Sequence, residues 1–313
     1  MTSNEIKESL ERLLHGTSKD LSAYLLEVCS SETVQDTKTD LHVHMLRLDG
    51  NSRPRINDFA NFVTDCVIDY CIPPSEIREA KERDEANHTT THFVKLYKKA
   101  AGLFTDLKNT GEGGEMLLSI MIQRILGIPQ LLCKMPLKTN PNVHYHGADG
   151  IYGKFDETSG KFCLYWAESK LYSDLGQAMS DCFDSIKNLL VEEGGAGTQR
   201  ERDLTLFRDN LDFDDINLEN AIIAYLNPDE EEYLSLEYRG VCLVGYDEMA
   251  YPKDLSGIEA EIKKAIAGRI HEFKNMVCTR LKNRLPLDDI IMDVLIVPFS
   301  DVNQFREKFL EVI

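Results

Sequence analysis

Two apolar runs joined by Asp156-Glu157-Thr158-Ser159-Gly160 constrain this chain most, because a short turn sets the register of the strands around it. With residues 157–160 as the loop, Asp156 faces Lys161 and the numbers of every opposed pair add to 317. One face then reads Asp149, Ile151, Gly153 and Phe155 against Phe162, Leu164, Trp166 and Glu168. It is apolar until its far end, where Asp149 stands opposite Glu168. Opposed residues hold their Cβ atoms about 4.5–5.5 Å apart, so two carboxylates are brought together. Lys170 lies two residues further on and shares the face. Like charges so placed destabilise each other. A lysine neutralises one of them; an oxygen-rich site for a hard divalent cation accommodates both.

The flanking segments place this hairpin in an α/β protein. Apolar spacing predicts short helices at 5–14 and 19–28, a strand at 40–48, and helices from 57 to about 103 that break at Pro73-Pro74. The run 115–126 is nearly all apolar, as in a helix buried on most sides. Glu115 opens it, and Glu112 lies one turn earlier. Strands at 130–137, 147–156 and 161–170 follow, then an amphipathic helix at 174–190 that carries Gln177. Residues 192–197 are the best linker candidate. Beyond them the pattern predicts a strand at 240–246, a helix at 257–281, a strand at 290–299 and a helix at 301–310. The expected division is an N-terminal mixed helical region (1–104), a core (105–191), and an acidic segment with a C-terminal strand–helix extension (192–313).

Charge limits the partners. The chain of 313 residues carries 35 Lys+Arg against 53 Asp+Glu, a net of −18 that repels phosphate backbones. Nucleic-acid binding therefore needs a local basic path, metal ions or a basic partner. Residues 201–237 hold twelve acids against Arg202 and Arg208, a net of −10. The run 229–232 within them reads as a solvated face or loop. Apolar content of 42% suits a globular protein, and no apolar stretch approaches a membrane span. The opening residues lack a signal-peptide pattern. Eight scattered cysteines without CxxC are expected to be buried thiols, in keeping with a cytoplasmic protein.

The order helix, three strands, helix over about 105–190 resembles the restriction-endonuclease-like core of the PD-(D/E)xK nuclease superfamily. The matching residues are Glu115, Asp149 in Ala148-Asp149-Gly150, Glu168-Ser169-Lys170, and Gln177. Ala148 stands where the motif has proline. Gly111-Glu112-Gly113-Gly114-Glu115, His146-Gly147-Ala148-Asp149-Gly150, Ala167-Glu168-Ser169-Lys170 and the acidic balance are similar, more narrowly, to HamA, the nuclease-subunit family of the Hachiman antiphage system. The resemblance implies a metal-dependent deoxyribonuclease with a companion helicase. It implies Mg²⁺, or Mn²⁺, held by Asp149 and Glu168 with the Ser169 carbonyl and help from Glu115. It further implies Lys170, with Glu168 and Asp149, as the catalytic residues, and Gln177 and Glu112 as supporting residues.

Other motifs compete. Asp40-Leu41-His42-Val43-His44 resembles the first metal motif of PHP-type phosphoesterases, but no later histidine stands in a matching context, which favours a polar strand edge. His88 and His92 share a helical face without the HExxH glutamate. His144 and His146 precede the hairpin and are candidates for substrate contact. The run 111–114 lacks the ending of a P-loop. A non-catalytic acidic subunit of a nucleic-acid motor is the alternative from another class.

Overall fold

The structure is a computed structural model that describes residues 1–104, 111–138, 147–191, 197–253 and 257–313. Its centre is a six-stranded mixed sheet in the order β1-β2-β6-β5-β4-β3. The strands are β1 (Leu25–Thr33), β2 (Thr39–Leu46), β3 (Gly150–Asp156), β4 (Lys161–Leu171), β5 (Leu236–Asp247) and β6 (Met292–Phe299). β4, β5, β6 and β2 run parallel, and β1 and β3 add antiparallel edges. One sheet thus draws on the N-terminal, central and C-terminal segments alike.

The hairpin has the predicted register: Gly150 pairs with Ala167, Ile151 with Trp166 and Asp156 with Lys161. β4 lies one strand in from the edge and is buried along most of its length, so it reads as a nearly continuous apolar run. The Leu175–Val191 helix packs on β4 and β5, bringing Ile186 and Leu190 against Gly240. The Glu112–Met121 helix lies against the other face of β4, with Gly114 beside Leu171 and Ser169. Outside it, Phe305 and Phe309 of the Val302–Val312 helix join Phe59 and Phe299 in an aromatic cluster.

Three expected elements differ. Residues 130–137 form no strand: Gln130 makes one bridge to Tyr152, and the chain then turns into a short helix, Met135–Lys138. Pro136 is the reason, since it removes a ladder donor and suits the first turn of a helix. Among the described residues of 111–191 the core is therefore helix, two strands, helix, and β5 completes the parallel pairing. Gly153 lets the 129–132 segment lie close over β3; a Cβ there would stand 2.4 Å from Leu131 Cδ1. The second difference is β1, where a helix is expected at 19–28. Its buried residues are Leu25 and Cys29, a spacing of four, because register shifts on both sides of Cys29 break the two-residue alternation.

The expected helix at 257–281 is two, Glu259–Ala267 and Ile270–Lys282, either side of Gly268. Residues 192–196 of the 192–197 linker candidate, with His144 and His146, lie outside the described residues. All eight cysteines are free, six of them buried. No described helix is long and apolar enough to cross a membrane.

Candidate active site

The end of β3 and β4 carries the carboxylates. The Asp149 N–H donates to the Ala167 carbonyl at 2.9 Å, one residue out of the hairpin register, in which Ala167 pairs with Gly150. Beyond it the Asp149 side chain takes over: its Oδ2 accepts from the Ser169 N–H and the Ser169 hydroxyl, both at 2.8 Å. Glu168 is only 4% exposed, and its Oε2 accepts from Lys170 Nζ at 3.1 Å. Burial pushes the Glu168 carboxyl well above the usual carboxylate range, the charge of Asp149 pushes it further, and Lys170 draws it partly back. The Lys170 ammonium is held up by Glu168 and Asp149 against the opposing effect of its own burial. The pair is thus poised for an added cation.

Asp149, Glu168, Lys170 and Glu115 line one cavity of about 350 Å³ with Ser185 and Asn188. Glu115 enters from the first turn of its helix, and the Tyr70 hydroxyl donates to it at 3.4 Å. Glu112 is buried one turn earlier and lines neither this cavity nor its neighbour described below. Gln177 is exposed and hydrogen-bonds Asp181 on its own helix at 2.6 Å, away from both.

Sequence reasoning missed two contributors. Lys134 is 3% exposed, lines the same cavity, and its charge lowers the Glu168 carboxyl. A lone lysine within the apolar run 130–137 was its signal, since a buried charge needs a partner. Asp203, 2% exposed, accepts the Ala148 N–H at 3.1 Å and so pins the residue before Asp149. Nothing local in the sequence marks it.

Among the described residues no three His, Cys, Asp or Glu side chains converge tightly enough to hold an ion alone. Two carboxylates, a backbone carbonyl and water suit Mg²⁺, which keeps several waters and takes one or two carboxylates. The donor set fits.

The histidine motif has a structural role. His42 uses both ring nitrogens, Nδ1 on the Ser30 carbonyl and Nε2 on Asp293 at 2.8 Å. Burial lowers its basicity, but Asp293 and Ser30 outweigh this and raise it overall. His44 is 6% exposed, and its Nδ1 has no hydrogen-bond partner among the described residues. Burial, then the charge of His42, brings it down to about 4 from an ordinary value of 6.5. The unfolded chain therefore binds a proton that folded His44 refuses. Its contribution to stability is fully present above pH 6.5 and is lost as pH falls towards 4, on the order of 3 kcal/mol. Urea melts between these limits should show a flatter pH dependence for His44→Leu; equal slopes would refute this. His92 likewise serves the fold, its Nδ1 2.8 Å from Asp84.

A family model described as HamA matches residues 22–313. The chain belongs to the HamA family. The HamA match spans all six strands and every residue of the carboxylate cavity. Membership makes it an antiphage defence protein. No curated protein matches the chain.

Proposed function

We propose that this HamA-family protein is a metal-dependent deoxyribonuclease, the effector of a defence complex that includes a helicase. The observation that carries the reading is the convergence of Asp149, Glu168, Glu115 and Lys170 on one cavity at the end of a sheet edge. Asp149 and Glu168, with the Ser169 carbonyl and help from Glu115, would hold Mg²⁺, or Mn²⁺ in its place. A bound divalent ion lowers the pKa of a water and neutralises charge on a phosphate. The chain's own part is orientation. The Ser169 N–H and hydroxyl hold the Asp149 carboxylate, Glu168 fixes the Lys170 ammonium, and Lys170 stabilises charge developing on the phosphate. The test is plasmid cleavage by the full chain with Mg²⁺ and with a chelator. Cleavage that is indifferent to the chelator, or absent with the partner helicase and Mg²⁺ both supplied, refutes it.

The helicase reading rests on charge. Much of the acidic segment is committed within the fold: Asp212 bonds Ser75, Asp214 bonds Arg78, Glu201 bonds Arg208, and Glu237 bonds Lys161 and Arg239. Residues 229–232 stay exposed, next to the exposed Tyr233 and Leu234. Isolated chain should therefore bind duplex DNA poorly at about 150 mM salt, where each phosphate contact requires a cation. Replacing Asp229 by Asn and Glu230, Glu231 and Glu232 by Gln should slow association with the helicase and flatten its salt dependence. Tight DNA binding by the isolated chain, with helicase affinity unchanged in that variant, refutes the partnership.

A further inference from the structure

A second cavity, of about 230 Å³, lies on the opposite face of β4. Strand alternation separates the two: Glu168 points towards the Leu175–Val191 helix, whereas Ser169 and Leu171 point towards the Glu112–Met121 helix. Lys170, Asp149 and Glu115 line both, so the cavities meet around the end of β4. On the second side the lining adds Tyr172 and Arg306.

Arg306 is the cation added on this side. Phe305 and Phe309, buried on the same helix, hold its backbone in place. Its Nη2 donates to the Leu171 carbonyl, one residue beyond Lys170. In a chain of net charge −18, Arg47, Arg239, Arg269 and Arg284 each pair with a carboxylate. Among the described residues no carboxylate lies within ion-pair distance of Arg306. A half-buried guanidinium, tethered by one nitrogen at the wall of a cavity that Tyr172 also lines, has the fork and positive charge that suit a phosphate.

We propose that this second cavity binds a phosphodiester flanking the one cut at Asp149 and Glu168, with Arg306 as its cation and Tyr172 as a ring for the neighbouring base or sugar. The proposal rests on the nuclease reading and deepens it: a DNA strand passes from one cavity to the other across Lys170. This gives a strongly acidic chain a local cationic stop, and aromatic rings beside cations are a recurrent platform for single strands.

The test uses the full chain, a labelled single-stranded oligonucleotide and the variants Arg306→Gln and Arg306→Lys. Glutamine keeps a donor for the Leu171 carbonyl while losing the charge, and equal melting temperatures check the fold. Binding by fluorescence anisotropy at about 20 mM salt, without divalent ions, should weaken about tenfold or more in Arg306→Gln. The slope of log affinity against log salt should become shallower by about 0.7, and Arg306→Lys should retain it. With Mg²⁺, KM for the oligonucleotide should rise while kcat stays within about twofold, since the lost contact is equal in ground and transition states. Mn²⁺ affinity by calorimetry should not move. Unchanged binding and KM in Arg306→Gln, or a matching change in Mn²⁺ affinity, overturns the proposal. Wild type that binds through Arg306 yet cleaves nothing even with the helicase and Mg²⁺ supplied supports the subsite and overturns the nuclease reading. Active wild type indifferent to Arg306 does the reverse, and wild type that neither binds the oligonucleotide nor cleaves with the helicase and Mg²⁺ supplied overturns both.

Discussion

Lys170→Ala and Glu168→Gln should both abolish Mg²⁺-dependent cleavage, with rates down on the order of 10³-fold or more, and should move stability in opposite directions. The activity loss follows from their places: one is an ammonium at the cavity and the other a carboxylate 3.1 Å from it. The stability difference follows from charge. Glu168 is buried beside the like charge of Asp149, and its raised pKa means that folded protein binds a proton that unfolded chain has released. Its contribution to stability is thus present at low pH and lost as pH rises through the folded pKa. Removing the charge with glutamine should leave metal-free protein at neutral pH as stable as wild type or more so. Lys170→Ala leaves Asp149 and Glu168 without their nearest neutralising ammonium and should melt lower in chelator, with Mg²⁺ restoring part of the loss. Cleavage assays and paired melts in chelator and Mg²⁺ check both halves. Equal nuclease activity in either variant would move the chemistry away from this cavity.

Asp203→Ala should cost about 2–3 kcal/mol and lower cleavage more than tenfold, although Asp203 is not among the residues lining the cavity. Its carboxylate accepts the Ala148 N–H at 3.1 Å in a site that is 2% exposed. Without it a buried donor loses its acceptor and the segment leading into Asp149 loosens. Misplacement of a reacting group by about 1 Å costs on the order of 10²-fold, so a distant anchor carries a large kinetic effect. Asp203→Asn retains an acceptor oxygen and should recover much of the stability and part of the rate. Denaturant melts and cleavage rates on both variants decide. A stable Asp203→Ala with normal rates would show that the Ala148 contact positions nothing.

The sequence by itself determined the hairpin. Its turn is local, so the pairing of Ile151 with Trp166 and Gly153 with Leu164 follows from counting outward from residues 157–160. The same count brings Asp149, Glu168 and Lys170 to one end of the hairpin, where they line one cavity, although the regular pairing itself stops at Gly150 and Ala167. Long periodic elements were legible for the same reason, among them the helices Leu175–Val191 and Val302–Val312.

Wherever distant segments meet, tertiary structure decided. Pro136 and the bridge at Gln130 removed a strand that composition favours, and with it placed Lys134 at the carboxylates. Irregular pairing in β1 gave a strand the apparent period of a helix. The acidic segment read as excess charge, yet Asp203 reaches back to Ala148 and Asp212 and Asp214 reach the Pro74–Asn87 helix. Arg306, more than a hundred residues from Lys170 in sequence, shares a cavity with it. Local periodicity reports which face of an element is buried, whereas the partner that buries it is chosen by packing across the whole chain.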